Sequence, residues 1–317
     1  MMAPHAEALP RTTGSDGREH PHMLSLTTLQ GLAWTFAALG IILTIVRLLH
    51  RWKNSRCLHL DDIFSAVATT ILVPFTAMTL QDDAIDIEMT MYRLGRSDHI
   101  PSLEKVDTAI KTEVACTVLF WIIIYAAKAS FLAAYWRTFC ANRVACFVWY
   151  TLAAVTAISF GALFMSVFWI CGQPSNVGDL VACKSVGTAY AIRLLTVWCV
   201  LNLVDCFLLI VYPFANTSFS RTQLNTRQTI CISLMLLLVA FFVALDILRT
   251  YWNLTLSLSE TTNLVLLWRL LEPSVAVILC AMSGFAGLCR VPRSDSDISD
   301  DERGWIEIGR VGKDTSG

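Results

Sequence analysis

The chain has 317 residues, of which 55% are hydrophobic and only 15% charged, with a formal net charge of −1 at pH 7. A soluble globule needs a more charged surface, so this composition excludes one and points to an integral membrane protein whose first partner is the lipid bilayer. Basic residues sit in short clusters beside apolar runs and make no extended positive field, which excludes nucleic-acid binding.

Residues 1–25 are polar, rich in Pro, Gly, His and Arg, and have no apolar period, which predicts a disordered tail. No cleavable signal peptide is expected, because the first apolar run comes late, is long and lacks a small-residue cleavage site. Seven apolar runs follow, each near the ~20 residues that cross a hydrocarbon core. They cover Thr28 to Leu48, Ile63 to Leu80, Val114 to Tyr135, Val144 to Ile170, Val186 to Tyr212, Thr229 to Leu248 and Thr262 to Met282. Backbone facing lipid must satisfy its own hydrogen bonds, and a barrel would show alternation instead. The expectation is therefore an all-α polytopic protein with seven transmembrane helices over residues 26–289. Pro74 and Pro273 are expected to kink the second and seventh.

Orientation follows from Lys and Arg. Arg47, Arg51, Lys53 and Arg56 follow the first span, and later connections on that side hold Arg137 and Arg143, Arg221 and Arg227, and Arg290 and Arg293. The opposite connection over residues 81–113 carries Asp82, Asp83, Asp86 and Glu88, and is the only one roomy enough for structure of its own. The positive-inside rule then puts the N-terminus outside and the C-terminus in the cytosol. Residues 290–317 turn acidic and are expected to form a disordered cytosolic tail, with Ser296 and Ser299 as candidate phosphorylation sites. No internal repeat is visible, which weighs against a transporter of inverted halves.

Of the eleven cysteines, most lie in apolar runs as small buried hydrophobes. Cys171 and Cys183 bracket an outer loop in an oxidising compartment, where a disulfide can close it; Cys116 is the alternative partner for Cys183. Cys57, Cys140 and Cys289 at the inner boundary are candidates for palmitoylation. The sequon at Asn253 falls outside and is the candidate glycosylation site, whereas that at Asn216 falls on the cytosolic side and is expected to be idle.

The sharpest anomaly is Lys128, deep in the third span within WIIIYAAKASFLAAYWR. A charge there costs about 2.5–3.5 kcal/mol on insertion scales, so it needs a partner, a wet cavity or a snorkelling route to the interface. Helical spacing puts Trp121, Tyr125, Leu132 and Tyr135 on its face. Asn202 and Asp205 make an i,i+3 pair in the fifth span, and Arg269 and Glu272 another in the seventh. Lys128 can reach Asp205 or Glu272. Two readings stay open: an ion-pair network that fixes helix packing, or a polar pocket for a ligand such as a small hydrophobic metabolite. No HExxH, GxSxG or CxxC motif, no Gly-rich phosphate loop and no His within a span occur, so neither a metal site nor a cofactor is expected. A cyclase-like enzyme using Asp205 or Glu272 as acid, and a transporter, are the alternatives to a non-enzymatic protein.

The ordered series RLLHRWKNSRCLHLDDIF, LGRSDHI, YAAKASFLAAYWR, Cys171 and Cys183, LNLVDCFLLIVYP, Arg249 and LWRLLEPSVAVILC resembles the fungal rhodopsin-domain integral membrane proteins. That family includes the satratoxin-cluster type membrane proteins and receptor-like relatives, and the resemblance spans about residues 30–290. It implies a heptahelical protein of the plasma membrane or an endomembrane, accessory or receptor-like and linked to fungal secondary metabolism. On the matching motifs it singles out Tyr125, Lys128, Asn202, Asp205, Trp268 and Glu272. No chromophore follows, because a retinal Schiff base needs a lysine in the last span, and Lys128 lies in the third. Neither an Asp-Arg-Tyr nor an Asn-Pro-x-x-Tyr motif is present. The Pro usual near the end of the last span is absent from ILCAMSGFAGLC.

Overall fold

The computed structural model describes residues 26–55, 58–93, 102–139, 143–169, 188–219 and 258–286, with eight single positions between 233 and 248. Regular structure among them is helical throughout. The helices are α1 (Leu26–Ser55), α2 (Leu60–Arg93), α3 (Leu103–Phe139), α4 (Arg143–Val167), α5 (Thr188–Phe219) and α6 (Leu258–Ala286). The isolated positions in the sixth predicted span, Ser233 to Leu248, are helical as well, and Val243 packs against the main core. Cys171, Cys183 and Asn253, with both expected tails, lie outside the described residues.

Of the predicted spans, the first, second, third and seventh fall within longer helices, the fifth is outrun by its helix at the C-terminal end, and the fourth matches its helix closely. Four helices, over Thr27–Lys53, Leu60–Ile85, Asp107–Trp136 and Arg143–Val167, are long and apolar enough to cross a bilayer, and Thr196–Tyr212 adds a shorter apolar stretch. The differences fall at the charged ends. Arg47, Arg51 and Lys53 were expected in a connection and instead stand on the last turns of α1. Asp82 and Asp83 were expected in an outer loop and stand inside α2, buried. That loop is mostly helix: α2 runs on to Arg93 and α3 starts at Leu103. Hydropathy ends a span where charge begins, whereas a helix continues as long as its charges find partners. On α3, Lys111 reaches Asp107 one turn back at 2.7 Å, and Ser102 Oγ accepts the Lys105 amide at 3.4 Å as an N-cap. At the start of α2, Asp62 accepts the His59 amide at 3.2 Å, and Asp61 and Asp62 together complement the positive helix terminus.

The bundle turns apolar side chains outward, as a protein solvated by lipid must, and keeps its ionic groups inside. Phe147 at 72% and Ile158 at 71% exposure face outward, while Arg47, Asp61, Asp62, Lys128, Asp205 and Glu272 are buried. α3 is the central helix, against α2, α4, α5 and α6, and its contact with α2 is the most extensive in the fold. Phe75, Phe120, Ile123 and Ile124 fill that seam. α1 lies chiefly on α6, where Gly40 lets the backbones close: a Cβ there would stand 3.2 Å from Val277 Cγ1. Thr44 and Thr69 join α1 to α2 through a 2.9 Å hydroxyl pair.

Candidate functional site

Lys128 and Asp205 meet in the interior between α3 and α5, at 4% and 0% exposure, with Nζ 3.4 Å from Oδ2. The ammonium also donates to Asn202 Oδ1 at 2.7 Å and to the Asn202 carbonyl at 3.4 Å. The i,i+3 spacing on α5 is what lets Asn202 and Asp205 serve one cation. Tyr125, one turn before Lys128, donates its phenol to Asp205 Oδ2 at 2.8 Å, and its ring centroid lies 4.4 Å from the ammonium. Ser159 of α4 donates to Asp205 Oδ1 at 3.2 Å. One carboxylate therefore receives side chains from α3 and α4 while standing on α5.

Removing two charges from water costs several kcal/mol each, and their attraction repays this only where the remaining lone pairs and protons are satisfied. Here they are, by one amide oxygen, one phenol and one hydroxyl. An aromatic wall shields the network: Trp121 meets Trp198 edge to face at 5.8 Å, and Phe160 lies 5.2 Å from Tyr125. Two buried polar atoms flank it with no hydrogen-bond partner among the described residues. They are Trp121 Nε1, one turn from Tyr125, and Thr156 Oγ1, one turn from Ser159. Further bonds tie the same three helices: Trp149 Nε1 to the Leu132 carbonyl at 2.8 Å, Trp198 Nε1 to Ser166 Oγ at 2.6 Å, and Tyr212 OH to the Ala145 carbonyl at 3.2 Å.

Of the residues singled out in the sequence, the structure brings Tyr125, Lys128, Asn202 and Asp205 together. Trp268 and Glu272 stand on α6, with Glu272 buried, and among the described residues no ion pair joins Glu272 to Lys128. The i,i+3 pairing of Arg269 with Glu272 is not formed as an ion pair among the described residues; Arg269 instead bridges to Asp82 of α2 at 3.0 Å. A guanidinium spans between helices, whereas a neighbour on its own helix offers no interhelical bond. Cys116 is a free, buried thiol, which removes it as the alternative partner for Cys183.

A second buried cluster was visible in the sequence only as a basic stretch before an acidic pair. Arg47 of α1, 1% exposed, reaches Asp61 Oδ2 at 2.8 Å and Asp62 Oδ1 at 2.9 Å. It also donates to the Cys280 carbonyl of α6. Arg51 binds both carboxylates, at 2.7 and 2.8 Å. Ser130 of α3 donates to the Asp61 carbonyl at 2.8 Å, so four helices meet here. Two Arg four residues apart and an Asp pair opening the next span is the signal that marks such a cluster. Among the described residues no group of His, Cys, Asp and Glu is gathered in a way that could hold a metal ion.

A family model described as the fungal rhodopsin domain matches residues 46–291, from the Arg47 cluster to beyond the end of α6. No curated protein and no solved structure gives a significant match. The match takes in both buried ionic clusters and most of the chain, and this integral membrane protein belongs to the fungal rhodopsin domain family.

Proposed function

We propose that this is a non-enzymatic, accessory or receptor-like seven-helix membrane protein of a fungal secondary-metabolite pathway, in which the Lys128–Asp205 network is the interhelical lock. The observation behind it is that Asp205 gathers Tyr125, Lys128 and Ser159 from two other helices around one buried carboxylate. Such a junction has two states, paired and broken. A small hydrophobic metabolite with a hydrogen-bonding group, competing beside Trp121 and Thr156, shifts the balance between them. Acid catalysis fits less well, because a cyclase-type acid needs an open face toward its substrate and Asp205 is fully enclosed. The pathway link rests on the resemblance to the satratoxin-cluster type proteins.

The same proposal keeps the N-terminus outside and the C-terminus in the cytosol, with a disulfide between Cys171 and Cys183 and a glycan at Asn253 on the outer face. Epitope accessibility at each terminus of intact cells reads that orientation. Function is tested with Lys128→Met and Asp205→Asn in a producing strain, measuring metabolite output beside protein abundance. Output per molecule of membrane protein is expected to fall in both variants, beyond any fall in abundance. Unchanged output from a folded, normally abundant Lys128→Met protein would sink the proposal.

A further inference from the structure

α1 lies chiefly on α6 and α2 on α3. A furrow of about 370 Å³ opens between α1 and α2, lined by Leu48, Leu58, Ile63, Ala66, Val67 and Thr70 and, where Arg51 stands, by Asp62. Leu58, Ile63, Val67 and Thr70 are exposed, so the furrow faces the surroundings of the bundle. The small Ala66 side chain gives it depth.

Its chemistry suits hydrocarbon. Thr70 commits its hydroxyl to the Ala66 carbonyl at 2.8 Å. The Asp62 carboxylate is taken up by Arg47, Arg51 and the His59 amide. Both polar side chains of the lining are therefore engaged within the protein. From Leu60 to Ile71, α2 rises about 17 Å at ~1.5 Å per residue. That is close to one leaflet of a ~30 Å hydrocarbon core, the run of one acyl chain.

The Asp62 end of the furrow is the basic one, because Arg51 binds that carboxylate at 2.8 Å. Arg47 and Arg51 are balanced by Asp61 and Asp62, which leaves Lys53, exposed on the last turn of α1, as surplus positive charge. Arg51 keeps 14% of its side chain exposed at the same end. Trp52 is exposed between them, a residue type that settles at the headgroup level.

We propose that this furrow is a binding site for an anionic glycerophospholipid, one acyl chain lying between α1 and α2 and the phosphate held at Arg51 and Lys53. The assignment to the cytosolic leaflet rests on the orientation proposed above; the binding itself does not.

The test uses the full chain purified in neutral detergent. It is titrated with phosphatidylserine, with phosphatidylcholine of the same chains, with chain-free glycerophosphoserine, and with a sterol. Retained lipid is read by native mass spectrometry and stabilisation by thermal shift. Phosphatidylserine is expected to be retained about fivefold better than phosphatidylcholine, the effect of about one interfacial basic residue. Lys53→Gln is expected to erase that preference, and Thr70→Trp, which fills the furrow from an exposed position, to lower retention of both phospholipids. Circular dichroism and monodispersity identify a misfolded variant, in which case Val67→Trp, also exposed, replaces it. Equal retention of the two phospholipids, displacement by the sterol, stabilisation by glycerophosphoserine alone, or full retention in the filled variants each overturns the proposal.

Discussion

At the scale of single residues, the chain shows how far a charge in an apolar run can be read. Lys128 announces itself, because a charge at that depth costs about 2.5–3.5 kcal/mol on insertion scales. Its partner does not, because Asp205 and Glu272 both fall within reach of a flexible four-carbon stem, and only the packing of α5 against α3 selects Asp205. Ser159 leaves no signal at all, since a lone Ser in a membrane helix ordinarily bonds its own backbone. Arg47 misleads in the opposite direction. An Arg at the end of an apolar run is what the positive-inside rule expects in water, yet this one is buried on two carboxylates and a carbonyl. Arg47→Met removes one of two cations from that cluster and leaves one share of each carboxylate unmet. The expected loss is about 3–5 kcal/mol, the usual consequence of breaking a buried pair. It is measured as a lowered unfolding midpoint in mild detergent, and a midpoint within error of the parent would show that water already fills the cluster.

At the scale of elements, helix existence is legible and helix ends are not. The apolar cores of the described helices stand where the sequence puts them, but α1, α2 and α3 overrun their hydropathy limits by many residues. The overrun is carried by residues that hydropathy counts as loop: Arg51 with Asp62, Asp82 with Arg269, and Lys111 with Asp107. A window average counts each charge as loop whether its partner is one turn away, as Asp107 is for Lys111, or on another helix, as Arg269 is for Asp82. The close approach of α1 to α6 is also invisible from α1 alone, because Gly31, Gly40 and Gly161 look alike in sequence. Gly31 and Gly161 have open space where a Cβ would stand, whereas Gly40 meets Val277 at 3.2 Å. Gly40→Leu is therefore expected to destabilise by about 1–3 kcal/mol through overpacking. Gly161→Ala is expected to be neutral or to stabilise by about 0.5–1 kcal/mol through lost backbone freedom in the unfolded state. Thermal unfolding of the two variants side by side checks the contrast, and equal effects would place α1 farther from α6.

At the scale of the whole molecule, an apolar exterior surrounds buried charges, among them the Arg269–Asp82 bridge between α6 and α2 and two larger clusters. The Arg47 cluster joins α1, α2, α3 and α6, and the Lys128 network joins α3, α4 and α5. α3 takes part in both, through Ser130 and through Tyr125 and Lys128, so it is the helix through which the two halves of the bundle are coupled. Composition alone establishes the membrane class, and the ordered motifs carry the family, but the coupling emerges only when the helices are set side by side. Because helices in lipid gain little from apolar burial against one another, such polar contacts are what can give the bundle a specific arrangement. The lock at Asp205 is tested most directly by a double-mutant cycle with Lys128→Met, Asp205→Leu and the pair together, read as unfolding free energy in one detergent. Each single variant is expected to lose about 3–5 kcal/mol, since each strands a buried polar partner, while the double variant recovers much of that loss by removing both charges. Additive losses in the double variant would contradict a direct Lys128–Asp205 coupling.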